Sequence, residues 1–98
     1  MNINIEKENG VTVLKIDGRL DTTTAPELEK AINAEGDELK SLVLDFGGVD
    51  YISSAGLRVL LTAQKKMNIQ GSMELANVSE AVMDIFEMTG FADILVIR

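Results

Sequence analysis

Residues 41–57 read SLVLDFGGVDYISSAGL, and this stretch decides the fold. Its first part, Ser41–Phe46, is a nearly continuous apolar run, which is typical of a central strand covered on both faces. The glycine pair 47–48 is predicted to end that strand, since glycine often marks a break. A helix is expected from Ser54 to about Asn68, because apolar residues recur along one side of this segment.

The segments on either side of this stretch complete an α/β pattern. Alternating apolar residues before and after Asn9-Gly10 predict a β-hairpin with a tight turn. A helix is expected from Thr22 to Glu35, with Thr24 and Glu27 as a capping box. The remaining elements are a strand at Ser72–Ala76, a helix that has its cap within Asn77–Glu80 and ends at Thr89-Gly90, and a last strand at Ile94–Ile97. The predicted order is β-β-α-β-α-β-α-β in a single domain of residues 1–98, with helices packed against a mixed, mostly parallel sheet.

The composition excludes several classes of function. The formal net charge is −7, from nine Lys and Arg against sixteen Asp and Glu, and the only adjacent basic pair is Lys65-Lys66. Nucleic acid and anionic membranes are held by clustered basic side chains, so neither is an expected partner. The chain has no Cys and no His. Ser–His and Cys–His catalysis and the usual zinc sites are therefore excluded, and we expect no metal, no cofactor and no enzymatic activity.

No targeting signal is evident at the start of the chain. The first residues, MNINIEKENG, lack the basic region and the apolar run of a signal peptide. No apolar stretch approaches the roughly 20 residues needed to span a bilayer. A cytoplasmic protein is the default expectation.

Ser53 and Ser54 are the most informative polar residues, because they lie where the strand region gives way to the helix. Serine at such a position usually caps the helix by accepting a hydrogen bond from a first-turn amide. The small residues that follow, Ala55 and Gly56, would leave a hydroxyl accessible. A phosphate is also favoured there, because free amides and the helix dipole both attract an anion. On residue types alone, a structural cap and a phosphorylated switch of binding both remain open.

The aspartates of the predicted loops allow a different hypothesis, a phospho-accepting receiver domain. Asp45 follows an apolar strand, and Asp17, Asp21 and Asp50 are expected in neighbouring loops. A receiver starts with a strand–helix unit and is longer than this chain, which opens with a hairpin. Ordinary solvated loop carboxylates are the favoured interpretation.

Together these motifs resemble the anti-sigma factor antagonists, the single-domain members of the STAS group (sulphate transporter and anti-sigma factor antagonist). The resemblance runs from about Val11 to Ile97, and three stretches carry it: Gly18–Asp21 with the Thr-rich helix start, Leu44–Leu57, and Val78–Gly90. The second stretch is the most specific. The resemblance implies a STAS-like α/β fold and a binding protein that catalyses nothing.

The resemblance also implies roles for individual residues. It places the family's phosphorylated serine on Ser54, with Ser53 as the less favoured position, and its loop aspartate on Asp21. It implies that the unphosphorylated form binds an anti-sigma factor that is also a serine kinase, which frees the sigma factor. The kinase then phosphorylates the serine and ends the interaction, and a serine phosphatase resets it. The expected partner-binding residues are Asp21, Thr22, Thr23, Asp50, Ser53, Ser54, Ala55, Gly56 and Arg58.

Two features depart from the family pattern. Many members have Asp immediately before the phosphoserine, where this chain has Ser53, so two adjacent hydroxyls compete. The family also commonly ends with a further C-terminal helix, whereas this sequence stops at Arg98, and some partner contacts are expected to be missing or supplied otherwise. The alternative function is a STAS scaffold or transporter accessory subunit whose serine is only a helix cap.

Overall fold

A computed structural model describes all residues from 1 to 98 and contains one mixed sheet with three α-helices. The strands are β1 (Asn2–Glu8), β2 (Val11–Leu20), β3 (Ser41–Ile52) and β4 (Ser72–Ala76), and the helices are α1 (Ala25–Asn33), α2 (Ser54–Gln70) and α3 (Glu80–Thr89). Strands lie side by side in sequence order, with β1 antiparallel to β2 and the other neighbours parallel. The predicted α/β class is confirmed. None of the helices combines the length and the hydropathy that crossing a bilayer would require.

The N-terminal hairpin forms because its turn residues accept left-handed backbone. Asn9 and Gly10 have φ values of 53° and 81°, as a two-residue type I′ turn requires. This turn sets the register of the hairpin, in which Ile3 of β1 lies opposite Ile16 of β2. The predicted hairpin is confirmed.

A single core joins one face of the sheet to all three helices, and it contains 22 buried residues. β3 supplies Leu42, Leu44 and Phe46 to it, because alternate side chains of a strand point to the same face. The ring of Phe46 lies 6.5 Å from that of Phe86 of α3, centroid to centroid, in a tilted arrangement that aromatic pairs favour. The apolar faces predicted for the helices are therefore core faces.

The two faces of β3 differ, whereas the sequence predicted cover on both. Val43 on the second face is 6% exposed but lies outside the core cluster. Its partner on β4 is Glu74, which forms an ion pair of 2.6 Å with Arg98. A second ion pair on this face joins Lys15 to Glu6 at 3.4 Å. The second face is therefore a polar layer with a few aliphatic residues between ion pairs, not a second core.

β3 is longer than predicted, because the glycine pair 47–48 lies within the strand rather than ending it. Pairing with β2 continues as far as Leu20 opposite Ile52, with two irregularities in register on the way. A Cβ atom on Gly48 would lie 2.5 Å from Oδ1 of Asp17, so the strands can approach here only because residue 48 is glycine. Irregularities of this kind redirect side chains and are common beside functional sites.

α1 begins at Ala25 rather than near Thr22, and the predicted capping box at Thr24 is wrong. The Thr24 side chain makes no bond to the amides of the first turn. Its Oγ1 accepts from the Asp21 amide at 2.8 Å and donates to the Arg19 carbonyl at 2.6 Å. The threonine therefore closes the loop before the helix, and residues 22–24 belong to that loop.

The third helix starts as predicted, but the last strand is nearly absent. Ser79 caps α3, its Oγ accepting from the Val82 amide at 3.2 Å, and Gly90 ends the helix with φ 83°. A 3-10 turn at residues 91–93 then occupies the following chain. The predicted strand at 94–97 is reduced to a single bridge between Ile97 and Leu75 of β4.

Candidate functional site

Two loops meet at the carboxyl ends of β2 and β3, where parallel α/β sheets commonly place their sites. The Ser53 amide donates to the Leu20 carbonyl at 2.9 Å, directly beyond the pairing of Leu20 with Ile52. This bond ties the loop of residues 21–24 to the start of α2. The fold therefore brings together the expected partner-binding residues of both loops.

The first turn of α2 has no side-chain cap, although a serine occupies the capping position. Ser53 has the extended backbone of an N-cap residue, with φ −97° and ψ 176°, yet its side chain bonds to no amide. The first backbone bond of the helix runs from the Leu57 amide to the Ser53 carbonyl, at 3.0 Å. The amides of residues 54–56 are therefore left for an acceptor from outside the helix. The dipole of this 17-residue helix favours an anion at the same place.

The two adjacent serines differ in access. Ser54, the first residue of α2, is exposed. Ser53 is half-buried, and its Oγ atom is enclosed without any hydrogen-bond partner. A buried hydroxyl without a hydrogen-bond partner destabilises the folded state. The site thus holds one serine open to solvent and one turned inward.

Gly56 is buried and packs against the ends of both strands. A Cβ atom on it would lie 2.7 Å from Cγ1 of Ile52 and 2.8 Å from Cγ of Leu20. Glycine at this position lets α2 begin very close to the sheet. The resemblance implied a partner contact for Gly56, and the structure shows this residue buried between the helix and the sheet.

The carboxylate of Asp21 is held by the threonine-rich loop. Its Oδ1 accepts from the Thr23 hydroxyl at 2.8 Å and from the amides of Thr23 and Thr24 at 3.0 and 3.1 Å. The Thr23 hydroxyl bond, helped by these amides and opposed by partial burial, lowers the pKa of Asp21 below its ordinary value of 3.8. Asp21 is therefore a fixed negative charge near neutral pH, and the exposed Thr22 lies beside it.

Arg19 and Tyr51 form a contact that the sequence did not predict. The guanidinium carbon of Arg19 lies 4.3 Å from the centroid of the Tyr51 ring, within the range of a cation–π interaction. The Nε atom of Arg19 also lies 3.9 Å from Oδ2 of Asp21. Tyr51 is 38% exposed and follows the exposed Asp50. This contact depends on the irregular register between β2 and β3, which no local pattern predicts.

A groove between α1 and α2 leads away from the two loops. Three of the expected partner-binding residues, Thr22, Ala55 and Arg58, line its near part. The other residues that line this part are Ala25, Pro26, Glu29, Val59 and Thr62. The site therefore continues from the start of α2 along the side of that helix.

The aspartates of the receiver hypothesis are not gathered into a pocket. The Asp45 carboxylate accepts from Asn77 Nδ2 at 3.0 Å and from the Gly47 amide at 2.9 Å. The Asn77 bond, then the Gly47 bond, and the nearby charge of Lys15 lower the pKa of Asp45 despite some burial. No group of three or more acidic side chains has the geometry of a metal site. Asp45 thus ties the middle of β3 to Asn77, the residue after β4.

The family follows from comparison with known proteins. The family model for the STAS domain matches residues 2–98. The chain belongs to the STAS domain family. It is 34% identical over 99 residues to the anti-sigma-B factor antagonist of Bacillus subtilis, a match that covers 97% of this chain and 90% of that protein. It is 35% identical over 96 residues to the protein BtrV of Bordetella bronchiseptica, covering 96% of this chain and 83% of the relative.

A solved structure supports the same relationship. The crystal structure of an anti-sigma factor antagonist from Mycobacterium paratuberculosis superposes on this STAS domain with a TM-score of 0.90 at 28% sequence identity. The match covers 99% of this chain and 84% of the other. This STAS domain therefore has the same fold as the mycobacterial anti-sigma factor antagonist, as the resemblance implied.

Proposed function

We propose that this STAS domain is an anti-sigma factor antagonist that releases its partner when Ser54 is phosphorylated. Relatives that match nearly its full length carry that name. The observation that carries the proposal is the uncapped start of α2, where an exposed serine stands at unbonded first-turn amides. In its unphosphorylated form the domain would bind the anti-sigma factor and free the sigma factor.

Access favours Ser54 over Ser53 as the modified residue. A kinase must surround the hydroxyl that it phosphorylates, and the Oγ atom of Ser53 is enclosed. Phosphorylation of Ser53 would require its enclosed side chain to turn outward first. Ser54 needs no such change.

The free amides predict that phosphorylation leaves the fold intact. A phosphoserine adds about −1.5 to −2 charges. At the first turn of α2 those charges meet the amides of residues 54–56 and the positive end of the helix dipole. The modification is therefore accommodated locally, and its effect falls on whatever docks there.

The proposed loss of binding would come from the bulk and the hydration of the phosphate rather than from repulsion by the partner. Asp21 and Asp50 place two carboxylates on the proposed contact surface, so a partner that fits them offers donors or basic side chains. Added phosphate would occupy the helix amides, bring bulk, and require desolvation of a doubly charged group on docking. The proposed contact surface consists of Asp21, Thr22, Thr23, Asp50, Ser54, Ala55 and Arg58, with Ser53 and Gly56 supporting it from below.

The proposal implies two enzymes that act on this domain, which itself would act as a binding protein. The anti-sigma factor would be a serine kinase, and a separate serine phosphatase would restore the binding form. Both would meet the domain in the cytoplasm.

The test uses, as the candidate kinase, any small ATPase-like protein that is found to be encoded beside this gene, produced together with the STAS domain. The wild type, Ser54→Ala and Ser53→Ala are incubated with it and ATP, and mass spectrometry locates the phosphate. We expect phosphate on Ser54 in the wild type and in Ser53→Ala, and none in Ser54→Ala. Calorimetric titration should show that Ser54→Ala binds like the wild type while Ser54→Asp binds far more weakly. Undiminished binding by Ser54→Asp, with no phosphate on Ser54, would instead favour a scaffold or transporter accessory role.

A further inference from the structure

The helix α2 is the positively charged element of an acidic chain. It carries Arg58, Lys65 and Lys66 and no acidic residue, whereas the whole chain has a net charge of −7. Four ion pairs occur in the structure, and their basic members are Lys7, Lys15, Arg19 and Arg98. The three basic side chains of α2 are therefore not neutralised within the domain.

Two of these three side chains line the groove between α1 and α2. Arg58 lines the part nearest the site, and Lys66 lines the far part. Both parts share Glu29, Val59 and Thr62, so they form one continuous groove. Lys66 lies eight positions after Arg58, which corresponds to about 12 Å between their backbone positions along the helix. Lys65 is exposed and does not line the groove.

The groove floor is apolar and its walls are unequally charged. Ala25, Val59 and Ala63 are almost fully buried along it. The α1 wall contributes one carboxylate, Glu29, which forms no ion pair with Arg58 or Lys66. An occupant would thus meet two cations and one anion around an apolar floor.

We infer that this groove receives an acidic segment of the partner, with two carboxylates about 12 Å apart and small apolar side chains between them. The inference rests on the proposed function, because the groove opens beside Ser54 and the same partner would cover both. The contact surface of the partner would then have two regions of different charge. One region would present basic or donor groups to Asp21 and Asp50, and the other would present acidic groups to α2. Phosphate on Ser54 would change the first region and leave the second charged as before.

Charge reversal on α2 tests the inference in binding assays with the candidate kinase proposed above. Arg58→Glu, Lys66→Glu and the matched control Lys65→Glu change the charge by the same amount on the same helix. We expect the two groove variants to weaken binding about 5- to 10-fold each, mainly through slower association, and Lys65→Glu to change it less than about 2-fold. Arg58→Gln and Lys66→Gln, which remove charge without reversing it, keep the test valid if a reversed side chain disturbs folding.

A zero-length carbodiimide cross-link gives a second readout, because it joins an amine only to a carboxylate in contact with it. In the complex, Lys66 should be joined to an Asp or Glu of the partner, and replacing that residue by Lys should restore binding to Lys66→Glu. Equal affinities for all three reversal variants, with cross-links at Lys65 only, would overturn the inference while Ser54→Asp still abolished binding. If the wild type does not bind the kinase at all, the proposed function is wrong, and the inference that rests on it is wrong as well. Self-association of the domain that is lost in Arg58→Glu would identify a second copy as the occupant and also overturn the inference.

Discussion

Replacing each of two N-cap serines by alanine should affect the stability of the domain differently. Ser79 begins α3 and accepts a hydrogen bond from the Val82 amide at 3.2 Å, whereas Ser53 begins α2 with a buried, unbonded Oγ. Loss of a capping serine costs about 0.5–2 kcal/mol, so Ser79→Ala should lower the free energy of unfolding by about 1 kcal/mol. Ser53→Ala removes no bond and relieves a buried polar atom, so it should be neutral or stabilising by up to about 1 kcal/mol.

The assay is urea unfolding of both variants and the wild type, followed by far-UV circular dichroism. In thermal unfolding, a loss of 1 kcal/mol corresponds to a lower Tm by about 4–8 °C for a domain of this size. Ser79→Ala should show that decrease, and Ser53→Ala should not. Should Ser53→Ala cost as much as Ser79→Ala, Ser53 caps α2 in solution. The first-turn amides would then not be free, and the physical reason for a phosphate site at Ser54 would be lost.

Three further predictions concern packing and charge. Gly56→Ala places a Cβ atom 2.7 Å from Cγ1 of Ile52. This overpacking should cost about 2–3 kcal/mol, and the better helix propensity of alanine should recover about 1 kcal/mol. Urea unfolding should therefore show a net loss of stability of about 1–2 kcal/mol. Asp21 has a lowered pKa, so its ionised form stabilises the fold above pH 3.8 and this contribution is lost as pH falls below that value. Unfolding at several pH values should show Asp21→Asn less stable than the wild type near neutrality, with the difference shrinking below pH 3.8, and a constant difference would contradict this. Phe86→Ala should cost about 3–5 kcal/mol because it empties a fully buried position, and a loss below about 1 kcal/mol would show that α3 does not complete the core.

Structural elements that depend on residues close together in the chain could be predicted from the sequence. The turn at Asn9-Gly10 needs only residues that tolerate positive φ, and the start of α2 at Ser54 follows from a serine before a helical apolar pattern. β4 has the predicted bounds, Ser72–Ala76, because glycine and asparagine bracket a short apolar run. A cap within Asn77–Glu80 was also predicted, and Ser79 provides it. In each case the interaction involves residues close in the chain.

Features that depend on distant residues could not be predicted in this way. The glycine pair 47–48 predicted a break, yet the β2 strand alongside keeps β3 paired as far as Ile52. Thr24 was predicted to cap α1, but it closes the loop through Arg19 and Asp21, which no helix pattern includes. The last strand was predicted from four apolar residues, and a 3-10 turn at residues 91–93 leaves only one bridge.

The candidate site was predicted in outline, and its internal arrangement was not. The serine pair and the Asp21 loop were both expected at strand ends, and the structure brings them together through one backbone bond. That Ser53 turns inward while Ser54 stays exposed depends on how closely Gly56 lets α2 approach the sheet. The basic wall along the α1–α2 groove becomes visible only when the helices are placed side by side.

The most direct test compares the partner's affinity for the unmodified domain and for the domain phosphorylated at Ser54, with the fold checked in both. Calorimetric titration against the kinase, with a non-hydrolysable ATP analogue present, gives the affinities, and circular dichroism melting gives the stability. We predict about 100-fold weaker binding after phosphorylation, which corresponds to about 2.7 kcal/mol, with the Tm unchanged within about 2 °C. Equal affinities would contradict the switch, and loss of binding accompanied by unfolding would contradict the local accommodation of phosphate at the start of α2.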